Sequence, residues 1–329
     1  MKLRTIESNS FNPYQNLGLE EYLLHHVDQD ECILYLWQNQ RTVVIGRNQN
    51  AWKECHLAKL EQDGGYLARR LSGGGAVFHD LGNLNFTFLV GKDNYDIDRQ
   101  LAVIVKAIKL LGVNAKKTGR NDITIDGKKF SGNAFYQGKN ANYHHGTLMV
   151  DVNKNDLSKY LNVSKQKLES HGVDSTKSRV TNIKAYLPNI TINQVKQSVL
   201  QAFEDVYQNK AERINLDTIN QNQYQQLITK YQQNQWNYGK TKDFTHQLSK
   251  RFDWGDIDLF VKVKNGVIND IMINSDSLEI DWIERLQKQW MNQQYQYHTL
   301  VEYLNLGIKN RALNDLMERD IKSLLLSEL

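Results

Sequence analysis

Arg69-Arg70-Leu71-Ser72-Gly73-Gly74-Gly75-Ala76-Val77-Phe78-His79-Asp80, running on through Gly82-Asn83-Leu84-Asn85-Phe86-Thr87-Phe88, is the most informative stretch of this sequence. Three consecutive glycines pack nothing and cost chain entropy on folding, so they make sense where backbone turns sharply or approaches a ligand closely. The exposed N–H groups of such a loop form an anion-binding concavity. Arg69 or Arg70 adds a fixed cation whose fork suits phosphate or carboxylate. For a lone Gly-Gly-Gly, a flexible turn with solvated arginines is the better reading. Here two Arg, a Ser, a His and an Asp crowd one loop between two β-rich runs, which favours a binding site. The standard phosphate loops fail on spacing. There is no G-x-x-x-x-G-K-[ST] and no G-x-G-x-x-G after a strand, so a P-loop kinase and a dinucleotide-binding dehydrogenase are both disfavoured.

Outward from this loop, the whole chain sets limits. Its 329 residues suit two domains, or one large domain with an appendage. Lys plus Arg is 41 and Asp plus Glu is 37, a net charge of +4, too mild to argue for nucleic acid. Basic pairs such as Lys116-Lys117 and Lys128-Lys129 are more often solvated than nucleic-acid contacts. No apolar run approaches a membrane span, and the start has no apolar signal region, so a cytoplasmic protein is expected. Cys32 and Cys55 are too few for a disulfide framework or a cysteine-based zinc cage. Of 20 glycines, 15 lie between Gly18 and Gly146 and three after residue 240, so any backbone cradle belongs to the first half.

The first 190 residues read as alternating strand and helix. Leu17 onward is a helix, with Glu20 and Glu21 in its first turn. Ile33–Trp37 and Thr42–Gly46 read as a hairpin. Asp98–Gly112 is a helix with glycine at its exit. Asp126-Gly127 between two β-rich runs is a strong tight-hairpin signal, and Gly146–Val152 is another strand. Beyond Ile190 the chain is rich in Asn and Gln. Tyr224, Leu227, Ile228 and Tyr231 at helical spacing, with Thr218/Gln221 as a capping box, favour helices over a low-complexity tract. The polar stretch Asn237–Arg251 is the expected domain boundary. The tail then reads as a small α/β unit: two strands flanking Lys264-Asn265-Gly266, a helix over 278–290, another from Thr299 to Leu306 capped by Thr299/Glu302, and a last helix.

Two further clusters carry chemistry. Arg120-Asn121-Asp122 precedes the hairpin, and Lys128-Lys129-Phe130-Ser131-Gly132-Asn133-Ala134 follows it. Adjacent lysines in a strand point to opposite faces, so at most one enters a pocket. Asn121-Asp122 either holds a metal ion or caps the hairpin. His144-His145-Gly146-Thr147 precedes an apolar run, but neighbouring strand residues diverge and no H-x-x-x-H or Cys partner is present, so a zinc site is disfavoured.

Taken in order and spacing, R-R-L-S-G-G-G-A-V-F-H-D, the R-N-D…K-x-S-G-x-A stretch and H-H-G-T-L resemble the lipoate–protein ligase A family, within the biotin/lipoate ligase superfamily. The likeness extends to Asn16–Leu24, Val44–Glu54 and Lys177–Ile183, and the tail resembles the accessory domain of the family's long form. The G-R-G-R-R-G type motif of biotin ligases is absent. The resemblance implies an α/β protein of the α+β type: a mixed-sheet catalytic domain (1–243) that binds lipoate and ATP, then a small α/β accessory domain (249–329). It implies ATP-dependent activation of lipoate to lipoyl-AMP, with Mg2+. The lipoyl group then passes to a lysine of apo lipoyl domains of 2-oxoacid dehydrogenase E2 subunits or of the glycine-cleavage H protein. A monomer is expected, with no nucleic acid and no membrane as partner.

Residue by residue, the resemblance puts Arg70, Gly75, Ala76, Val77, Phe78, His79 and Asp80 at the adenylate site. Asn121 and Asp122 fall near the phosphates, Asp122 on the magnesium, and Ala134 on the adenine side. Lys129 falls on the catalytic lysine that contacts both phosphate and lipoate carboxylate. Leu17, Leu19, Arg70, Ser72, Gly73, Gly74, His79, Lys129, His145 and Met149 surround lipoate. Physically, a lysine aimed between two anions removes their repulsion and stabilises developing charge. The mixed anhydride needs shielding from water, for which the Gly-rich loop and Lys139–His144 are the expected mobile segments. Acyl-transferring relatives on this fold use a cysteine, but no cysteine follows Cys55, which disfavours a thiol mechanism. A non-catalytic lipoate- or nucleotide-binding protein is disfavoured by the intact Lys129 and Gly loop.

Overall fold

The computed structural model describes residues 1–118, 121–162, 180–238, 245–304 and 311–328. The chain divides into two compact units. The larger takes Met1–Val44, Ala51–Arg69 and Val77–Asn237; the smaller takes Ile45–Asn50, Arg70–Ala76 and Tyr238–Leu329. Each is described separately.

The larger unit is built on strands β1 (Lys2–Glu7), β2 (Glu31–Trp37), β3 (Thr42–Ile45), β4 (Tyr66–Arg69), β5 (Val77–His79), β6 (Asn83–Gly91), β7 (Ala115–Thr118), β8 (Asp122–Ile125), β9 (Lys128–Gln137), β10 (Ala141–Met149) and β11 (Ala211–Arg213). Its helices are α1 (Pro13–His26), α2 (Ala51–Glu54), α3 (Leu57–Gln62), α4 (Ile97–Leu110), α5 (Lys154–Tyr160), α6 (Ile192–Tyr207), α7 (Gln221–Gln232) and α8 (Asn234–Tyr238), the last ending one residue past the unit. Eight strands form a mixed sheet in the order β11-β1-β2-β6-β10-β9-β8-β7, with β1 parallel to β2 and β11 and the rest antiparallel. A smaller sheet has the order β4-β3-β5.

Strand alternation divides the large sheet between two helical layers. Cys32, Leu34, Leu36, Phe86 and Phe88 pack with Leu101, Ile104 and Ile108 of α4 and with Val199 and Phe203 of α6 in the main core. On the opposite face, Tyr35, Thr87 and His145 meet α1. Against α1 lies α7, through a Lys230–Glu21 pair at 2.7 Å to both carboxylate oxygens.

Several local readings change. Ile33–Trp37 and Thr42–Gly46 do not form a hairpin. Every residue of β2 is buried and the strand joins the large sheet, while β3 pairs in the small one. Helix α1 starts at Pro13, capped by Asn12, so Glu20 and Glu21 lie in its middle rather than its first turn. Asn220, not Thr218, caps α7, because Thr218 closes a short turn upstream. A true capping box is Thr191/Gln194, at the start of α6. The Asp126-Gly127 hairpin is present, with φ values of 49° and 75° that suit this dipeptide.

In the smaller unit, β12 (His246–Phe252), β13 (Gly255–Lys264) and β14 (Val267–Ser275) form an antiparallel sheet, with a hairpin at Asn265-Gly266. Part of the polar stretch read as a boundary is thus strand β12. Helices α9 (Ile280–Trp290), α10 (Tyr297–Glu302) and α11 (Arg311–Glu328) complete the unit. Trp254, Ile257, Leu259, Trp282, Trp290, Met317 and Ile321 form its core. Thr299 sits inside α10 instead of capping it, because the helix begins at Tyr297; Gly307 lies outside the described residues. Among the described residues, no helix is long and apolar enough to cross a membrane.

Candidate active site

In the larger unit, β9 carries Lys129 with an irregularity. Its register against β8 slips between Ile123 and Thr124: Ile123 faces Ser131, but Thr124 faces Lys129. Phe130 is the extra residue, and both Phe130 and Ser131 are fully buried. The bulge spends one residue without reversing the strand, so Lys129 emerges on the same side as Gly132. The Lys129 Nζ lies 3.1 Å from where a Cβ on Gly132 would sit, so glycine leaves the room across which the ammonium reaches. Asp122 Oδ1 meets Lys129 Nζ at 2.7 Å, with both side chains about a third exposed. The Lys129 backbone is pinned as well, its carbonyl accepting from Thr181 N at 2.8 Å. Lys128 is exposed, as strand alternation requires.

Asn121 is locked beside this pair. Its side-chain amide donates to the Asn133 carbonyl, and its own carbonyl accepts from the Asn133 backbone at 2.9 Å and from Asn133 Nδ2 at 3.1 Å. Gly132 N donates to Thr147 Oγ1. Ala134 stands opposite His145 in register, and Met149 opposite Asn83.

A buried polar chain crosses the α1 face of the sheet. Trp37 Nε1–H donates to Thr87 Oγ1 at 3.0 Å, and Thr87 donates to Glu20 Oε1 at 2.7 Å. His145 Nδ1 lies 2.8 Å from the same oxygen. Leu17 is one helical turn from Glu20 on the same face of α1, and both Leu17 and Leu19 are buried. Next to this chain His79 Nδ1 lies 3.2 Å from Asn39 Nδ2, its ring edge-on to Trp37. Glu20, Trp37 and Thr87 were missing from the sequence-derived site. The available signal was an acid on the apolar face of a helix, which must meet a polar partner when buried.

The other half of the paired histidines does something else. His144 is fully buried on the α4 face, between Asn133 Oδ1 (2.8 Å from Nε2) and Gln100 Oε1 (3.2 Å from Nδ1). Burial, aided by neighbouring His145, depresses its pKa from 6.5 to about 3. A neutral ring donates from one nitrogen only; because Asn133 Nδ2 is committed to the Asn121 carbonyl, Nε2–H donates to Asn133 Oδ1, and Nδ1 accepts when the Gln100 amide is turned so that its otherwise unpartnered nitrogen takes the place of Oε1. The stability consequence has a definite sign. Below pH 6.5 the unfolded chain protonates this histidine and the folded one does not. Stability therefore falls as pH drops from 6.5 toward 3, by about 1.4 kcal/mol per pH unit from this group. Urea titrations across that range are expected to show this slope, and His144→Phe to remove it. Ala141–His144 thus forms buried strand, which overturns its reading as a mobile segment.

Further predicted residues are held by their own surroundings. Asp80 accepts from Gly82 N and Asn153 N, and burial raises its pKa. Phe78 packs on Tyr160, and Val77 opens β5. Arg69 is tied to the carbonyls of Trp236 and Asn237, a structural role.

In the smaller unit the Gly loop is tightly seated. Arg70 Nε donates to Ser72 Oγ, and its Nη2 donates to the carbonyls of Gly73 (2.6 Å) and Gly75 (2.8 Å). Gly74 N donates to the Ser277 carbonyl. A Cβ on Gly73 would lie 2.2 Å from that carbonyl, so only glycine fits. Arg47 pairs with Glu284 at 3.0 Å. Ala76 closes the loop segment. Arg120 lies outside the described residues. Among the described residues no three His, Cys, Asp or Glu gather as a metal cage.

These features define a large mixed-sheet unit that carries a lysine–carboxylate pair, and a small antiparallel unit. Residues 12–204 match the Lipoyl protein ligase A/B catalytic domain, and 241–325 match the Bacterial lipoate protein ligase C-terminus. A lipoate-protein ligase A of Psychrobacter cryohalolentis is 40% identical over 91% of each chain, and one of Blochmanniella floridana 41% identical over 94% of each. Among solved structures, P. falciparum LipL1 in complex with lipoate aligns at TM-score 0.87 with 32% identity, over 98% of this chain and 99% of that one. A lipoate-protein ligase A bound with ATP aligns at 0.64 with 27% identity, over 73% and 99%. The chain belongs to the lipoate–protein ligase A family. It is accordingly a ligase.

Proposed function

We propose that the protein joins lipoate to ATP as lipoyl-AMP and then passes the lipoyl group to a specific lysine. The acceptor is a lipoyl domain of a 2-oxoacid dehydrogenase E2 subunit or the glycine-cleavage H protein. In this reading residues 1–243 form the catalytic domain and 249–329 the accessory domain. The observation that carries it is the Lys129 ammonium, laid over Gly132 by a bulge and paired with Asp122, itself about a third exposed. An exposed pair of this kind is weak, so the ammonium exchanges readily onto a more highly charged partner.

In the first step a lipoate carboxylate oxygen attacks the α-phosphorus and pyrophosphate leaves. Lys129 lies between the two anions, removes their repulsion and stabilises charge developing at phosphorus. Arg70 and Gly75–Asp80 hold the adenylate, with Ala134 beside the base. Leu17, Leu19, Ser72, Gly73, Gly74, His79, His145 and Met149 border the lipoyl group. Asp122, with a carboxylate beside the phosphate path, is the residue that would hold Mg2+. Held there, it would supply charge neutralisation for the departing pyrophosphate. In the second step the acceptor amine attacks the acyl carbon and AMP leaves, so no protein nucleophile is required.

The cysteines support this reading. Burial pushes both Cys32 and Cys55 thiols up to about 12, where no useful thiolate exists at neutral pH. The Cys32→Ser/Cys55→Ser variant is expected to keep lipoylation within about threefold of the parent; complete loss of turnover with the fold intact would revive a thiol route. The deciding experiment incubates purified protein with ATP, Mg2+, lipoate and an apo lipoyl domain, then weighs the acceptor. A lipoyl mass gain that requires ATP is expected. No gain, or transfer from an acylated carrier without ATP, overturns the reading. The relative from Thermoplasma acidophilum, described with its E2 lipoyl domain, suggests that class of acceptor for the first trial.

A further inference from the structure

A four-residue polar chain on the α4 face of the sheet ends at the residue beside Asp122. Gln100 on α4 and His144 on β10 are fully buried, and Asn133 on β9 is 4% exposed. Gln100 meets His144 Nδ1 at 3.2 Å, His144 Nε2 meets Asn133 Oδ1 at 2.8 Å, and Asn133 Nδ2 donates to the Asn121 carbonyl at 3.1 Å. Such a chain is costly to bury and superfluous for packing, since the surrounding rings of Phe86, Phe88 and Phe135 fill this layer apolarly. Its value lies in orientation. Asn133 has a carbonyl oxygen and an amide nitrogen on one planar group. By taking the oxygen, the Nε2–H of His144 leaves only the nitrogen to face Asn121. Were the amide reversed, its oxygen would face the Asn121 carbonyl and repel it.

We propose that His144 is a positioning residue for the nucleotide step. It orients Asn133, which holds the Asn121 carbonyl and so sets Asp122 against Lys129. The proposal rests on the ATP-dependent reading above. His144 bonds to Gln100 and Asn133, and acts on Lys129 and Asp122 through the Asn133 amide. Its effect is therefore confined to the phosphate side. The lipoyl side, bordered by His145 on the opposite face of the same strand, is left intact.

The test measures lipoate-dependent ATP–pyrophosphate exchange in the full chain for three variants. His144→Phe keeps an aromatic ring and removes the donor; His144→Gln places an amide nitrogen near the Nε2 position. Asn133→Ala cuts the chain from its other end. His144→Phe is expected to raise the KM for ATP about tenfold and lower kcat about tenfold, with the KM for lipoate within twofold of the parent. His144→Gln is expected to recover most of both losses. Asn133→Ala should repeat the ATP-selective pattern, and the double variant should be no worse than either single one, as for residues in one chain. Equal loss for both substrates, unchanged ATP kinetics, or a Gln variant no better than Phe overturns the assignment. If His144→Phe does not fold, Asn133→Ala alone decides, by its ATP-to-lipoate selectivity. If the parent itself catalyses no exchange, the ATP-dependent reading fails instead, which separates the two failures.

Discussion

Lys129→Ala is expected to abolish adenylate formation, by about a thousandfold or more in kcat/KM, while leaving the melting temperature within about 2 °C. The two halves have separate physical grounds. The Lys129 side chain is about a third exposed, and its partner Asp122 is equally so. Breaking such a pair costs 0 to about 1 kcal/mol. Its main-chain bond to Thr181 and its place in the sheet survive the substitution. In the reaction proposed above the ammonium faces two anions that must meet, and neither water nor a neighbour would replace it. Release of pyrophosphate from labelled ATP, read beside differential scanning calorimetry, checks both halves. A fall of 10 °C or more would show that Lys129 is structural, and retained turnover would remove it from the chemistry.

Glu20→Ala is expected to have the largest effect on stability, about 3–5 kcal/mol. Glu20 is 1% exposed, and one of its oxygens serves both Thr87 and His145. Truncation leaves a buried hydroxyl and a buried imidazole each short of a partner, and opens a cavity under the sheet. Glu20→Gln keeps the volume and an acceptor oxygen, and should lose less than half as much. Urea midpoints at neutral pH, at unchanged slope, measure the difference. A loss below 1 kcal/mol for the alanine variant would mean that the chain from Trp37 to His145 is rewired by water at no cost.

The outcome separates what periodicity and motif reveal from what pairing decides. The helices over Asp98–Gly112 and at the C-terminus, and both glycine hairpins, were legible because each is specified within a dozen residues. The partner of β2 was not, because a wholly buried strand shows no alternation that says which sheet it joins. The role of Glu20 was hidden by a four-residue error in the start of α1, which moved it from a helix end to a buried face. Lys129 was legible as one of two adjacent lysines. Which face it takes depends on a register slip that the spacing of Lys129 and Gly132 does not display. Arg70 was read as a cation offered to a ligand; the fold also employs it to brace its own loop through the Gly73 and Gly75 carbonyls.

The slip at Phe130 gives β9 a parity on which the meeting of Lys129 with Gly132 depends. A strand is a two-state counter, and each residue flips the side of the next. Phe130 is the one position at which the count is suspended, so the segment before it and the segment after it keep independent tallies. Losing that single residue would change no charged or polar group of the site. Were the ladder to run on without the slip, Lys129 and Gly132, three residues apart, would fall on opposite faces; with Phe130 deleted they would stand two apart on a regular strand and still share one. Deletion of Phe130 is therefore compatible with the shared face, whereas one further residue inserted as regular strand between Lys129 and Gly132 reverses it. Where the lysine of this strand emerges is thus settled by a rule of counting, with one buried phenylalanine as the residue left out of the count.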